Sequence, residues 1–206
     1  MKTIELFCGT KSFSKVAQKR GYDIFTVDLE KRFGATITAD IRTLTKKDFP
    51  TQCDLLWASP PCQGFSVAAI GHNWTGGKKM YIPKSDTARL GIELLEKTIS
   101  LIDQIKPRYF IIENPRGVMR KMPQLQHLRR VTVTYCQYGD TRMKPTDLWT
   151  NIPETIWKPK PPCKNGDKCH VSAPRGSKTG TQGLKGAEER GVIPPELFEE
   201  IFNSII

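Results

Sequence analysis

The sequence predicts an α/β fold in which a mostly parallel sheet is flanked by helices, and three observations carry that reading. Short apolar runs of strand length alternate with helix-patterned stretches along the first third of the chain. The same rhythm returns later, where a long helical face leads through Pro107 into another apolar run. At 206 residues, 38% of them hydrophobic, the chain suits one domain that buries roughly 70% of its unfolded surface. Strand, helix and strand in succession imply crossovers packed on a sheet, and such crossovers join parallel strands.

Taken in order, residues 3–8 read as a buried strand, 12–20 as a helix ended by Gly21, and 23–29 as a second buried strand. Residues 55–58 form a third apolar run, stopped by Ser59, Pro60 and Pro61. From 66 to 85 the periodicity is lost, with Gly71, Gly76 and Gly77 set among His72, Trp74, Lys78 and Lys79, which predicts a long functional loop. Leu94, Leu95, Thr98, Ile99, Ile102 and Ile105 mark one face of a helix. A strand over 109–112 follows, then an alternating strand through Val131, Val133 and Tyr135. Between 151 and 190 the composition turns to Pro, Gly, Lys and Thr; beyond it Leu197, Phe198, Ile201, Phe202, Ile205 and Ile206 keep helical spacing behind Pro194 and Pro195. The expected organisation is a core over 1–150, an irregular basic insertion over 151–190 and a closing helix within 191–206.

Thirty-two Lys and Arg against 21 Asp and Glu give a formal charge of +11. Seven cations accompany one acid, Glu113, between 106 and 130, and ten accompany five acids between 141 and 190. A polyanion is the simplest partner, because each cation that neutralises a phosphate releases counterions. No apolar stretch approaches the about 18 residues that span a bilayer. Glu5, Cys8 and Lys11 also interrupt a leader-like reading of the N-terminus, so the expectation is a soluble, intracellular, cytoplasmic protein with no membrane partner. Six cysteines in a chain this long are too sparse for a secreted disulfide framework, which leaves free thiols.

Three segments carry chemistry. The first strand runs through Cys8, Gly9, Thr10, Lys11 and Ser12 into a helix, a turn that offers backbone donors to a nucleotide-like ligand. Asp28, at the end of the second strand, stands where a carboxylate would accept from ribose hydroxyls, and Asp40 is placed to serve an adenine amino group. The run Ser59, Pro60, Pro61, Cys62, Gln63, Gly64, Phe65, Ser66 is more specific, because two prolines stiffen the strand's end and hold Cys62 at the sheet's carboxyl edge. The strand over 109–112 then ends in Glu113, Asn114 and Pro115, an acid at the same edge.

In these motifs the sequence resembles the DNA cytosine-5 methyltransferases. Glu5-Leu6-Phe7-Cys8-Gly9 is similar to the family's opening Asp-Leu-Phe-x-Gly, Pro61-Cys62-Gln63 to its nucleophile motif and Glu113-Asn114 to its Glu-Asn-Val. Residues 86–106 resemble the helix before the glutamate strand, Tyr138-Gly139 the Tyr-Gly that precedes its arginine motif, and Ile193-Pro194-Pro195 the start of its closing helix. The resemblance implies a Rossmann-like fold that uses S-adenosylmethionine and releases S-adenosylhomocysteine. It implies Cys62, Glu113 and Asn114 as catalytic residues, and Phe7, Gly9, Thr10, Asp28, Asp40 and Pro61 as cofactor contacts. DNA is the implied partner; the same chemistry on RNA, or with a modified cofactor suggested by Lys11 near the transferred group, is the alternative. Gln63, Ser66, Lys78, Lys79, Arg142, Lys144, Arg175 and Lys178 are the expected nucleic-acid contacts. A catalytically silent nucleic-acid-binding module is the competing reading, and the joint presence of Cys62 and Glu113 disfavours it.

Several departures mark a compact, altered member. Lys11 and Ser12 stand where the family has glycines, Arg142-Met143-Lys144 replaces Gln-x-Arg-x-Arg, and Pro115 replaces Val. Only about 40 residues occupy the place of a much larger target-recognition domain. Cys163, Cys169 and His170 in that stretch would hold zinc only with a fourth ligand such as Cys136 or His127. Their spacing matches no common finger, so an ordinary thiol-bearing loop without metal is expected.

Overall fold

The computed structural model describes residues 1–77, 80–172, 184 and 186–206. In chain order they form β1 (Lys2–Leu6), α1 (Ser12–Lys19), β2 (Asp23–Asp28), β3 (Ile37–Thr38), β4 (Leu55–Ala58), α2 (Ile70–Asn73), β5 (Trp74–Gly76) and β6 (Tyr81–Pro83). There follow α3 (Asp86–Ile105), β7 (Tyr109–Pro115), β8 (Arg129–Thr134), β9 (Pro145–Thr150), α4 (Ala187–Gly191) and α5 (Pro195–Ile205). The expected Lys78, Lys79, Arg175 and Lys178 contacts lie outside the described residues.

The main sheet has seven strands in the order β3-β2-β1-β4-β7-β9-β8. The five strands from β3 to β7 are parallel, and β9 and β8 are antiparallel additions. Chain order reverses on either side of β1, which has β2 as one neighbour and β4 as the other. That switch point leaves a crevice beyond the carboxyl ends of β1 and β4, the place where open parallel sheets bind ligands.

Every residue of β4 is buried, as expected of a strand covered on both faces. Its side chains alternate between the two cores. Leu55 and Trp57 pack with Phe13, Val16 and Ala17 of α1 and with Phe198, Ile201 and Phe202 of α5. Leu56 and Ala58 pack on the opposite face with Leu95, Leu101 and Ile102 of α3. Trp57 stacks on Phe13, with ring centroids 5.9 Å apart, and meets Phe198 edge-on at 4.9 Å.

Three features depart from the sequence expectation. The stretch 66–85 is not one irregular loop, because it contains α2 and the β5–β6 hairpin. The buried Trp74 donates its indole N–H to the Gly64 carbonyl at 2.6 Å, and Asn73 donates to Gln63 O at 3.0 Å, so the excursion folds back onto the Cys62 loop. Ser85 closes the fold by capping α3 through the Ala88 amide while donating to Asn73 Oδ1 at 2.7 Å. Strand β9 escapes an apolar reading because its fully buried Asp147 is polar. That carboxylate is satisfied by Arg120, whose Nη2 approaches to 2.6 Å, and by the Thr132 hydroxyl at 2.7 Å. Finally, Ile152 and Trp157 are buried in the α1–α5 core, so core packing continues past residue 150. No helix among the described residues is long and apolar enough to cross a membrane.

Candidate active site

Two loops frame the crevice. The first leaves β1 with Phe7, Gly9 and Lys11 all in the left-handed region, at φ 58°, 42° and 58°. Glycine adopts that conformation freely, while Phe7 and Lys11 are strained by it, so the turn is held from outside. The Gly9 amide donates to Asp28 Oδ2 at 2.8 Å and the Glu30 amide donates to Asp28 Oδ1 at 2.9 Å. A Cβ added at Gly9 would meet nothing within 4 Å, so the turn faces open space. The Thr10 and Ser12 hydroxyls lie 3.3 Å apart, and Lys11 reaches across the loop after β2 to donate to the Gly34 carbonyl at 2.5 Å.

Beneath this turn Glu5 acts as a helix cap. Lys11 occupies the N-cap of α1 without a side-chain cap, and the Glu5 carboxylate instead accepts from the Ser14 amide at 3.0 Å and from the Phe13 amide at 3.4 Å. Burial pushes the Glu5 carboxyl up to about 7 despite those donors. Asp40 lies beyond β3, where it accepts from the Arg42 amide and guanidinium; those bonds hold its carboxyl below the ordinary range.

The second loop leaves β4. Pairing of Ala58 with Ile112 puts Ser59 beside Glu113, one step beyond the register. Trp57 donates its indole N–H to Ser59 Oγ at 2.8 Å, Ser59 bonds in turn to Glu113, and Tyr135 donates its hydroxyl to Glu113 Oε1 at 3.2 Å. Asn114 donates to the Pro60 carbonyl at 2.9 Å and so ties the glutamate strand to the Pro-Pro segment. Burial raises the Glu113 carboxyl above its ordinary value. Cys62 is solvent-exposed beside Pro61 and Gln63, and desolvation of its thiol, followed by the negative charge of Glu113, pushes it up in the same direction. The nucleophile candidate and the acid are therefore electrostatic neighbours.

Lys144 joins them. It adopts a left-handed φ of 28°, places its ammonium 4.7 Å from the Tyr135 ring centroid and donates to the Arg190 carbonyl at 2.6 Å. Desolvation lowers its pKa, while Glu113 and Cys62 oppose that change, so its ammonium faces both of those side chains. Arg142 corrects a sequence expectation. Its side chain is buried, ion-paired to Asp140, and donates to the carbonyls of Glu189, Arg190 and Val192. All five guanidinium N–H groups have protein acceptors, which leaves none for a phosphate in this conformation. Of the remaining expected contacts, Gln63 is exposed, and Ser66 accepts from the Ala68 amide at 3.3 Å.

The structure thus gathers Cys62, Glu113, Asn114, Pro61 and Lys144 at one edge and places Gly9, Thr10 and Asp28 at the neighbouring turn. Sequence reasoning missed Ser59 and Tyr135 as partners of Glu113. Ser59 was visible inside the proline motif, whereas Tyr135 looked like an ordinary apolar position in an alternating strand.

The model for the C-5 cytosine-specific DNA methylases matches residues 1–132. The chain is 31% identical over 219 aligned positions to the "Probable DNA (cytosine-5)-methyltransferase" of Frog virus 3 (isolate Goorha), covering 98% of this chain and 99% of the viral one. It is 26% identical over 137 positions to the type II methyltransferase M.AgeI of Thalassovita gelatinovora, covering 58% of this chain and 29% of that protein. Among solved structures, an Escherichia coli prophage protein described as a DNA modification methyltransferase superposes with a TM-score of 0.51 at 19% identity, over 78% of this chain and 51% of that one. The chain spans about half the length of that solved structure and nearly all of the viral relative. On the family match and the near full-length viral relative, the chain belongs to the C-5 cytosine-specific DNA methylases and is a DNA (cytosine-5-)-methyltransferase.

Proposed function

We propose that the protein methylates carbon 5 of cytosine in DNA from S-adenosylmethionine, through a transient bond between Cys62 and carbon 6 of a base flipped out of the duplex. The observation that carries this reading is the convergence of Cys62 and Glu113 from adjacent strands, close enough for each to perturb the other's protonation.

The cofactor fits the residues at the switch point. Gly9 borders open space, Asp28 keeps lone pairs beyond those used by two amides, and Lys11 is held by Gly34. Phe7, Gly9, Thr10 and Asp28 would hold the nucleoside and its sulfonium arm, with Asp40 toward the adenine and Pro61 along the wall. Bound there, S-adenosylmethionine supplies an electrophilic methyl group.

Carbon 5 of cytosine is a poor nucleophile until a thiolate adds to carbon 6 and converts the ring to an enamine. Cys62 supplies that thiolate. Its raised pKa means that the proton must pass to solvent as the substrate docks, and the Lys144 ammonium stabilises the resulting thiolate. Glu113 is held by Ser59 and Tyr135 and is disposed by burial to carry a proton. It bonds the ring at N3 and the exocyclic amino group as the adduct forms. Asn114 fixes the distance between the acid and the Pro60–Pro61 wall. After transfer, a water molecule takes the carbon 5 proton, the C–H electron pair re-forms the carbon 5–carbon 6 double bond, and Cys62 leaves carbon 6 as a thiolate. Extruding the base costs a few kcal/mol, offset by pocket contacts. Gln63 and Ser66 at the loop tip, and the basic segment beyond Trp157, are the proposed DNA contacts and reduced target reader.

Incubation with S-adenosylmethionine and a duplex containing 5-fluorocytosine tests the mechanism, because fluorine cannot leave as a proton and the adduct is trapped. We expect a denaturation-resistant complex that Cys62→Ser abolishes. Wild-type protein giving no adduct on DNA, or giving one only on matched RNA, would overturn the proposal.

A further inference from the structure

Outside the catalytic edge, four metal-ligating side chains converge. Cys136, Cys163, Cys169 and His170 place one ligand atom each within 4.8 Å of all the others. Cys136 Sγ lies 3.2 Å from Cys163 Sγ and 3.6 Å from Cys169 Sγ, and His170 Nδ1 lies 3.6 Å from both Cys163 and Cys169. A tetrahedral zinc centre with sulfur ligands at about 2.3 Å and nitrogen at about 2.1 Å has edges of about 3.6–3.8 Å. Three of the six edges thus lie near the tetrahedral value and a fourth is drawn in to 3.2 Å, while the remaining two lie within 4.8 Å.

The backbone is shaped to bring the ligands together. Lys164 and Asp167 close a turn, with the Lys164 amide donating to Asp167 Oδ2 at 2.7 Å and Gly166 at φ 94°. The Cys163 amide donates to Thr134 Oγ1 at 3.0 Å and the Val171 amide to the Thr141 carbonyl at 2.9 Å, so the two ends of the turn are anchored to the end of β8 and to the connection from β8 to β9. Gln137 supplies an outer contact, donating to Cys169 Sγ at 3.6 Å. A disulfide would account for only two of the sulfurs, leaving the third and the imidazole directed at the same point.

We infer that Cys136, Cys163, Cys169 and His170 form a structural zinc site that fastens the 163–170 turn to the catalytic domain. Four protein ligands leave no open position, which marks a closed, non-catalytic centre. The inference goes beyond the methyl-transfer reading and does not depend on it. Its mechanical role follows from Cys136, which immediately follows Tyr135, the partner of Glu113. The metal would cross-link the 163–170 turn within the reduced insertion to the turn that carries that tyrosine.

Metal analysis of wild-type protein, expressed with added zinc and purified without chelator, should give one zinc per chain. Cobalt added to the demetallated protein should produce the intense visible bands and near-ultraviolet thiolate charge transfer of tetrahedral Cys3His coordination. Cys169→Ser should lose the metal and weaken both spectral features; the cobalt spectrum of the wild type keeps the test independent of whether that variant folds. Zinc far below one per chain with no tetrahedral cobalt spectrum, or a Cys136–Cys163 disulfide found by peptide mapping, would overturn the assignment.

Discussion

At the scale of single residues, the candidate site sets opposing charges around one sulfur. Desolvation raises the Cys62 thiol most strongly, the negative charge of Glu113 raises it further, and the Lys144 ammonium lowers it. Glu113→Gln should therefore make the thiol more acidic and speed its alkylation by iodoacetamide at pH 8. Methyl transfer in the same variant should fall by about 10²–10⁴-fold, because the neutral amide cannot exchange a proton with the ring. Measuring both rates against pH separates the two effects, and slower alkylation in the variant would contradict the electrostatic account. The sequence exposed Cys62 and Glu113 through their proline and strand contexts. It could not expose Lys144 as a neighbour of both, because that contact depends on an antiparallel strand whose pairing no local pattern announces.

At the scale of elements, α1 depends on an acid borrowed from β1. The folded-state value of Glu5, about 7, lies above the ordinary carboxyl value of 4.5, so the folded chain holds that proton more tightly than the unfolded chain does. Its contribution is fully present at low pH and is lost as pH rises through about 7, at a cost of roughly 3 kcal/mol. Glu5→Gln keeps an acceptor oxygen for the Ser14 amide and removes the titration. Its unfolding free energy should change less than that of the wild type between pH 5 and pH 8, as measured by urea denaturation; equal slopes would refute the assignment. The parallel strands were legible because burial on both faces writes continuous apolar runs such as Leu55–Ala58. The β5–β6 hairpin and β9 were not. The former rests on single side-chain anchors, Asn73 and Trp74, and the latter buries a carboxylate whose partner, Arg120, is 27 positions away.

At the scale of the whole molecule, the basic excess is divided between surface and scaffold. Formal charge alone makes every arginine a candidate for phosphate, but Arg142 directs its donors to the backbone at 189–192 and so fastens the segment before the closing helix. Arg142→Met should lower the melting temperature, yet leave the slope of log affinity against log salt on a short duplex unchanged. A phosphate contact would instead reduce that slope by about 1. The alternation of β1, α1, β2 and β4, the long helix before β7 and the closing helix followed from periodicity and proline punctuation. The extent of the insertion did not, since Trp157 belongs to a distant core that only the folded chain assembles.

The bond from Trp57 to Ser59 reaches further than its length suggests. One end of that bond is an indole packed against Phe13 and Phe198; the other is the Ser59 hydroxyl, which stands beside the Glu113 carboxyl group. The position of the Ser59 hydroxyl beside Glu113 is thereby tied to an aromatic stack that includes Phe198 on the buried face of the terminal helix.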